Sequence, residues 1–294
     1  MSNFHEPVLL SEAINGLKVK QDGKYIDATL GGGGHSFEIL RLGGVVLGID
    51  VDRDAIEYIE KNKKPENLTL ARGNFRDIDK IAPEHNFGKV AGIIFDLGVS
   101  SHQIDNPKRG FSFQNQGPLD MRMDEDLGVR ALDLIKILTK GELNEIFTEF
   151  GEETRAWVIS DAIVRARSIK PIETTTDLTG AIEEGLRKKG LSFGNNRAGQ
   201  AKKVFQALRI AVNDELNAIS EALPKALELL EKNGRLCVIS FHSLEDRIVK
   251  RTFLEFEKKK MGKIITEKPI IPTDQEIERN AKARSGKLRI FEKN

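Results

Sequence analysis

The sequence predicts an α/β fold, a Rossmann-like parallel sheet carrying an inserted helical domain, and three observations predict it. Residues 24–98 repeat a strand-then-helix rhythm. The rhythm stops at about Ser101 and resumes near Asn196, with helical patterning filling the gap. Gly31–Gly34, four glycines in succession, stand at the first strand-to-helix turn, where residues without side chains permit positive φ and let a ligand approach the backbone.

The elements follow in order. "KYIDATL", "VVLGID", "LTLARG" and "AGIIFDLG" are short apolar runs bounded by turn residues, separated by helical stretches near 35–42 and from Arg53 to about Lys63. Continuous apolar strands alternating with helices imply a parallel sheet covered on both faces. Right-handed crossovers gather the strand C-terminal ends at one edge, where such sheets bind ligands. Those ends carry Asp27, Asp50, the segment Gly73–Phe75, and Asp96 followed by "LGVSS". Within the gap, helices are expected over 131–138, 142–149, 154–167 and 177–189. Thr139 and Glu142 have capping-box spacing, and Pro171 ends the third helix. A structureless loop of that length is implausible in a compact fold. Beyond it, Phe205, Leu208, Val212, Leu216, Ile219 and Leu223 recur at three- and four-residue spacing, one long amphipathic helix that Pro224 kinks or restarts. "EKNG" ends that helix, "RLCVISF" is the fifth strand, "HSLEDRIVKRTFLEFEKK" a helix, and "KIITEKPII" with "KLRIFEK" a closing antiparallel pair.

Composition bounds the function. The chain has 294 residues, room for one large core or about two domains, with 39% hydrophobic and 31% charged residues. No run approaches the ~18 apolar residues of a membrane span, and the N-terminus lacks a secretory pattern, so a cytoplasmic protein without membrane contact is expected. One cysteine, Cys237, excludes an internal disulfide and a cysteine-rich metal site. The net charge of +1 conceals clustering: Arg187, Lys188, Lys189, Arg197, Lys202, Lys203 and Arg209 stand between Gly185 and Asn213 with no acid among them. Lys258–Lys260, Lys282, Arg284, Lys287 and Arg289 form a second basic stretch. Such runs are often solvated faces, but two in a nearly neutral protein favour a polyanion partner.

The glycine loop does not read as a dinucleotide fingerprint. The third glycine of G-x-G-x-x-G falls on Ser36 or Phe37, and no Gly-Lys-Ser/Thr follows for a P-loop. A glycine loop with an acid, Asp50, at the tip of the second strand fits an adenosyl cofactor lacking a pyrophosphate, S-adenosylmethionine, whose ribose hydroxyls Asp50 would accept. The plain alternative is Asp50 as the N-cap of the following helix, a role that Asp52 could fill instead.

"DATLGGGGHS", "GIDVDRDAI", "GNFRDI", "DLGVSSHQID", "RGFSF", "GPLDMRMD", "FQALRIAVNDEL", "ISFHSLEDRIVK" and "ARSGKLRI" resemble, in order and over nearly the whole chain, the bacterial ribosomal RNA small subunit methyltransferase H family, also called MraW. The loop departs slightly, having no arginine between its first glycines, and His102 stands where proline is common. The resemblance implies a class I S-adenosylmethionine-dependent methyltransferase sheet formed by residues 1–104 and 197–294, with 105–196 as an inserted helical domain that helps recognise RNA. It implies methylation at N4 of a cytidine in the decoding region of 16S rRNA, with a small-subunit particle rather than free RNA as substrate, and cofactor contacts at Gly33, Gly34, His35, Asp50, Phe75, Asp96 and Gln103.

Read from the residues, Phe75 offers a ring to an adenine. Asp96 ends the fourth strand beside the expected sulfonium and is the first catalytic candidate. His242 is the second; with Glu245 and Asp246 it has helical spacing, but no metal site is expected because no third ligand cluster is evident. Phe111 and Phe113 either stack on RNA bases or anchor the insertion. Carbon-5 methylation of a pyrimidine needs a reactive thiol, and Cys237 lies inside an apolar strand, so an exocyclic amine is the expected acceptor. A non-catalytic RNA-binding factor and a small-molecule methyltransferase are the competing readings, disfavoured by the intact loop with Asp50 and Asp96, and by the basic runs.

Overall fold

A computed structural model describes residues 7–62, 64–190 and 197–294. The chain divides into two compact units, Met1–Ser100 with Leu216–Asn294, and Ser101–Glu215.

The first unit begins with α1 (Leu10–Leu17), then alternates β1 (Lys24–Asp27), α2 (Gly34–Arg41), β2 (Val45–Asp50), α3 (Arg53–Lys61), β3 (Leu68–Arg72), α4 (Ile78–Glu84) and β4 (Val90–Asp96). In the second unit follow α5 (Ser101–Asp105), α6 (Ala131–Ile137), α7 (Lys140–Glu149), α8 (Ala156–Ile169), α9 (Thr175–Lys188) and α10 (Arg197–Asn213). α11 (Glu215–Leu229) leads back to β5 (Leu230–Ser240), α12 (Ser243–Lys258), β6 (Gly262–Ile264), α13 (Asp274–Arg279) and β7 (Lys287–Lys293).

The sheet runs in the order β3-β2-β1-β4-β5-β7-β6. β1 to β5 are parallel, while β7 is antiparallel to both β5 and β6. This is the class I Rossmann-like sheet expected from the sequence, closed at one edge by the expected hairpin pairing. Side chains alternate across it with the two-residue period of a strand. Ile26, Leu47, Ile49, Phe95 and Val238 pack with Leu223 and Leu227 of α11 and Phe253 and Phe256 of α12. Tyr25, Val46, Ile94, Cys237 and Ile239 pack with Ala13, Ile14 and Leu17 of α1, Ile39 of α2 and Ile59 of α3. Both faces are therefore buried, each large apolar side chain contributing roughly 1.5–3 kcal/mol.

The second unit is helical around its own core, which includes Leu143, Phe147, Ile159, Ile163, Leu178, Ile182, Val204, Phe205 and Leu208. α7 and α9 start with capping boxes, Thr139 with Glu142 and Thr174 with Asp177. The "GPLDMRMD" and "FQALRIAVNDEL" motifs meet here. Asn213 Oδ1 accepts from the Met123 amide at 2.7 Å, and its Nδ2 donates to the Met121 carbonyl at 2.8 Å, holding Met121 at φ 63°. Phe111 and Phe113 pack on the core, Phe113 edge-on to Phe205 at 5.9 Å, so they anchor this unit.

The compact units divide at 100/101 and 215/216, where the sequence reading set boundaries at 104/105 and 196/197; the apolar face of α10 packs in the helical core. Two further expectations are corrected. The long helix breaks at Asp214, which takes φ 50°, while Pro224 lies inside an α11 that continues to Leu229. "EKNG" falls within the span of β5. Val90 pairs with Leu230 and Gly92 with Arg235, and the register shift accommodates the extra residues. Among the described residues no helix is long and apolar enough to cross a membrane.

Candidate active site

The turn between β1 and α2 is stitched to its neighbours by backbone. Ala28 N–H donates to Ile94 O and Leu30 N–H to Ile49 O, both at 2.9 Å, fixing the loop over the ends of β4 and β2. Gly31 (φ 50°) and Gly33 (φ 78°) adopt left-handed conformations that a side chain would strain. A Cβ on Gly33 would also lie 2.9 Å from Ile59 Cδ1, and one on Gly34 would lie 2.7 Å from Pro7 Cγ. These two glycines are thus required by the packing of the chain itself, which brings the amide-lined start of α2 close to the strand ends. Gly33 caps α2 without any side-chain hydrogen bond, so the first amides of the helix face outward with a partial positive charge suited to a carboxylate.

Asp50 stands opposite. Its Oδ2 accepts from the Gly31 amide at 2.8 Å and its Oδ1 from the Asp52 amide at 2.9 Å. Each oxygen keeps a second lone-pair site, the geometry needed to accept from two vicinal hydroxyls. Burial pushes this carboxyl up to about 6 against those two amides, with Asp52 and Asp27 adding repulsion. Asp52 caps α3 through the Asp54 amide at 3.0 Å, so capping is not the work of Asp50. The sequence placed Gly31 in the ligand loop but not among the cofactor contacts; its amide orients the Asp50 carboxylate.

Behind the loop lies a buried polar cluster. Asp27 accepts from Ser36 Oγ at 2.7 Å and from the Thr29 amide at 3.3 Å. Burial raises its carboxyl, offset in part by His35 and these hydrogen bonds. The Asp96 amide donates to Thr29 Oγ1 at 2.6 Å, and Asp96 Oδ2 lies 3.8 Å from His35 Nδ1. His35 Nε2 is buried without a hydrogen-bond partner among the described residues, so the ring retains donor or acceptor capacity. Phe75 opens a short turn after β3, half-buried, its ring edge-on to Phe95 at 5.5 Å and 85°. The residues of this unit, Gly33, Gly34, His35, Asp50, Phe75 and Asp96, therefore gather at one sheet edge. Amides, an acid with spare acceptors, an orphaned imidazole nitrogen and an aromatic ring fit the amino-acid, ribose and adenine parts of an adenosyl amino acid. Gln103 belongs to the helical unit, where it is buried in α5.

His242 stands after β5 and caps α12. Its Nδ1 accepts from the Glu245 amide at 3.4 Å while Nε2 lies 3.1 Å from Glu245 Oε1, and Glu245 in return accepts from the Phe241 and His242 amides at 2.7 and 3.2 Å. Nδ1 thus completes the capping box, while Nε2 is buried without a hydrogen-bond partner among the described residues. Asp246 is tied to Arg289, 2.6 Å from Nε, and to Lys287 at 3.5 Å; burial alone would raise its carboxyl, and these cations hold it below its ordinary value. Cys237 is fully buried, its thiol pushed up to about 12 by burial.

The basic run of the helical unit divides. Arg209 makes paired hydrogen bonds to Glu215 at 2.8 and 2.9 Å, Lys203 donates to Glu152 O at 2.8 Å, and Lys188 pairs with Glu184 at 2.7 Å. Arg209 is thereby also an internal brace, because Glu215, just beyond the run, folds back onto it. Arg187, Lys189 and Lys202 are exposed. The Arg197 side chain lies outside the described residues.

A family model described as MraW methylase family matches residues 2–294. Among curated proteins, Ribosomal RNA small subunit methyltransferase H of Halothermothrix orenii is 44% identical over 308 residues, 98% of each chain. The protein of that name from Carboxydothermus hydrogenoformans is also 44% identical, covering 100% of this chain and 99% of its own. Among solved structures, an rRNA methylase from Streptococcus thermophilus is similar at TM-score 0.46 and 13% identity, covering 98% of this chain and 97% of the other.

Proposed function

The chain belongs to the MraW methylase family, and from that premise we propose that it transfers the methyl group of S-adenosylmethionine to N4 of a cytidine in the decoding region of 16S rRNA. The name shared by its relatives supports rRNA of the small subunit as substrate. The observation that carries the cofactor is Asp50, half-filled by the Gly31 and Asp52 amides and turned toward the glycine loop.

When bound, the cofactor supplies a methyl group on a sulfonium, transferred to a nucleophile held in line with the carbon–sulfur bond. The protein's residues divide the remaining work. Asp50 accepts from the ribose, the start of α2 receives the carboxylate, Phe75 flanks the base, and Gln103 serves as a further contact. Asp96, backed by His35, orients the exocyclic amine, whose lone pair is otherwise delocalised into the ring, and accepts its proton as the nitrogen bonds to the methyl carbon and the methyl–sulfur bond breaks to leave a neutral thioether. Carbon 5 is disfavoured as the acceptor because it requires a thiolate, and Cys237 is buried in the sheet with its thiol pushed up to about 12. His242 acts as a positioning group through its cap on α12, and Arg187, Lys189 and Lys202 attract RNA phosphates.

The test is methyl transfer to protein-free small-subunit rRNA and to assembled small-subunit particles, followed by nucleoside mass spectrometry. N4-methylcytidine, with turnover lowered about 100-fold or more by Asp96→Asn while calorimetry still shows cofactor binding, is the expected outcome. 5-Methylcytidine, or a stable protein–RNA adduct on RNA carrying 5-fluorocytidine, would overturn the amine assignment.

A further inference from the structure

The sole tryptophan of the chain, Trp157, lies on the second residue of α8 with 57% of its surface exposed, although the core of its own unit is one helix face away. It is not isolated. Lys140, at the start of α7, stands over the indole with Nζ 4.0 Å from the ring centroid, well inside the roughly 6 Å reach of a cation–π contact. The same ammonium donates to Asp161 at 2.8 Å, one turn along α8 from Trp157, and Arg165 reaches Asp161 from the next turn at 2.9 Å. Lys189, at the end of α9, adds its charge to the surroundings of Asp161. Gly185 makes that approach possible, because a Cβ there would overlap Ala162 of α8. Two helices thus bring two cations into contact with one acid beside an exposed aromatic ring, Lys189 past the end of α9 adds a longer-range positive charge, and the cluster carries a surplus of positive charge.

We infer that Trp157 is a stacking platform for an unpaired base of the RNA substrate, with Arg165 and Lys189 receiving the phosphates beside it. The inference rests on the reading of the protein as an rRNA methyltransferase and names where the helical unit meets that RNA. Charge complementarity selects the occupant. An apolar protein face seated on the indole would have to strip water from Lys140, Arg165 and Asp161, whereas a nucleotide supplies a π-face and, one bond network away, an anion. The ammonium over one indole face leaves the rest of the ring to solvent, and stacking on an aromatic tolerates any base. Sequence specificity would therefore come from elsewhere.

Because no other tryptophan is present, its fluorescence reports directly on this ring. Titrating the full-length protein with protein-free small-subunit rRNA quenches the emission, and filter binding at fixed salt shows affinity lowered about tenfold or more by Trp157→Ala and largely kept by Trp157→Phe. Joint Arg165→Ala and Lys189→Ala substitution reduces the dependence of binding on salt. Calorimetric cofactor affinity equal to that of the unaltered protein shows the Trp157→Ala variant folded. Unquenched emission at saturating RNA, or Trp157→Ala binding RNA as tightly as the original, overturns the platform. So does a Trp157→Ala defect seen with assembled particles and not with protein-free rRNA, since a protein would then be the partner. A protein that methylates rRNA with Trp157→Ala binding unaltered refutes the platform alone; one that binds and methylates no rRNA refutes the substrate reading with it.

Discussion

The two acids at the ligand edge of the sheet unit, Asp27 and Asp50, are held in the opposite way to the paired acids of the helical unit. In the helical unit Asp133, Glu142, Asp161, Asp177 and Glu184 all lie below the ordinary carboxylate range, each because of a named partner: Arg130, the Thr139 amide and hydroxyl, Lys140, the Thr174 hydroxyl, and Lys188. In the sheet unit Asp27 and Asp50 lie above it, because burial outweighs the amides and hydroxyl they accept from. Asp246, in the same unit, is held low by Arg289 and Lys287, so the contrast follows partners rather than location. An acid matched by cations and amides serves its own fold. An acid buried with acceptor capacity to spare is set up for donors that arrive with a ligand.

The contrast can be broken most severely at Arg209. Arg209→Ala leaves the largely buried Glu215 carboxylate without its paired hydrogen bonds and is expected to destabilise the protein by about 3 kcal/mol, whereas Lys202→Ala shifts the denaturation midpoint by no more than about 0.5 kcal/mol. Equal midpoints would show that the basic run does not divide as described. Next comes Asp50→Ala. Loss of a charge-assisted hydrogen-bond acceptor for the ribose costs roughly 1.5–3 kcal/mol of cofactor binding, about 10- to 150-fold in calorimetric affinity, and undiminished affinity would remove Asp50 from the site.

Acidity sharpens the same point. The folded Asp50 carboxyl, at about 6, lies above the ~3.9 of an unfolded aspartate. Its contribution to the free protein's stability is therefore present in full below about 4 and lost as pH rises through about 6. Cofactor affinity moves the other way. Ribose hydroxyls donate to the charged form, so affinity falls by up to about tenfold per pH unit as pH drops below about 6. Asp50→Asn should flatten both profiles, and a binding profile that stays steep in that variant would assign the titration to another group. The smallest effect belongs to a paired acid: Thr174→Ala removes one half of the α9 capping box and costs about 1 kcal/mol, with cofactor affinity unaltered. A change in that affinity would show that capping in the helical unit is tied to the cofactor.

Much of the sheet was legible because its strands are continuous apolar runs cut off by glycine or aspartate, and the same punctuation marks the ligand edge at Asp27, Asp50 and Asp96. The break at Asp214 was not. Its flanking residues Val212 and Leu216 continue one helical stripe, and nothing local says that α10 is buried in one core and α11 in another. The fates of Lys203 and Arg209 were hidden for a related reason, since Glu152 and Glu215 lie outside the run and only the fold returns them to it. Asp50 could be told from Asp52 because a helix start has a fixed offset from its cap; the approach of His35 to Asp96 could not, since it joins two strand ends distant in sequence.

Cys237 lies in β5 with its sulfur directed among α1 and the strands, 3.8 Å from Ala13 O. As a reactant it is silent while the sheet is intact, and it becomes visible to an alkylating reagent only when β5 is released. The rate of its modification under native conditions therefore clocks how often the sheet unit opens. Trp157, on the other unit, answers to different events, so one thiol and one indole make the two halves of this chain separately observable without any label being engineered into it.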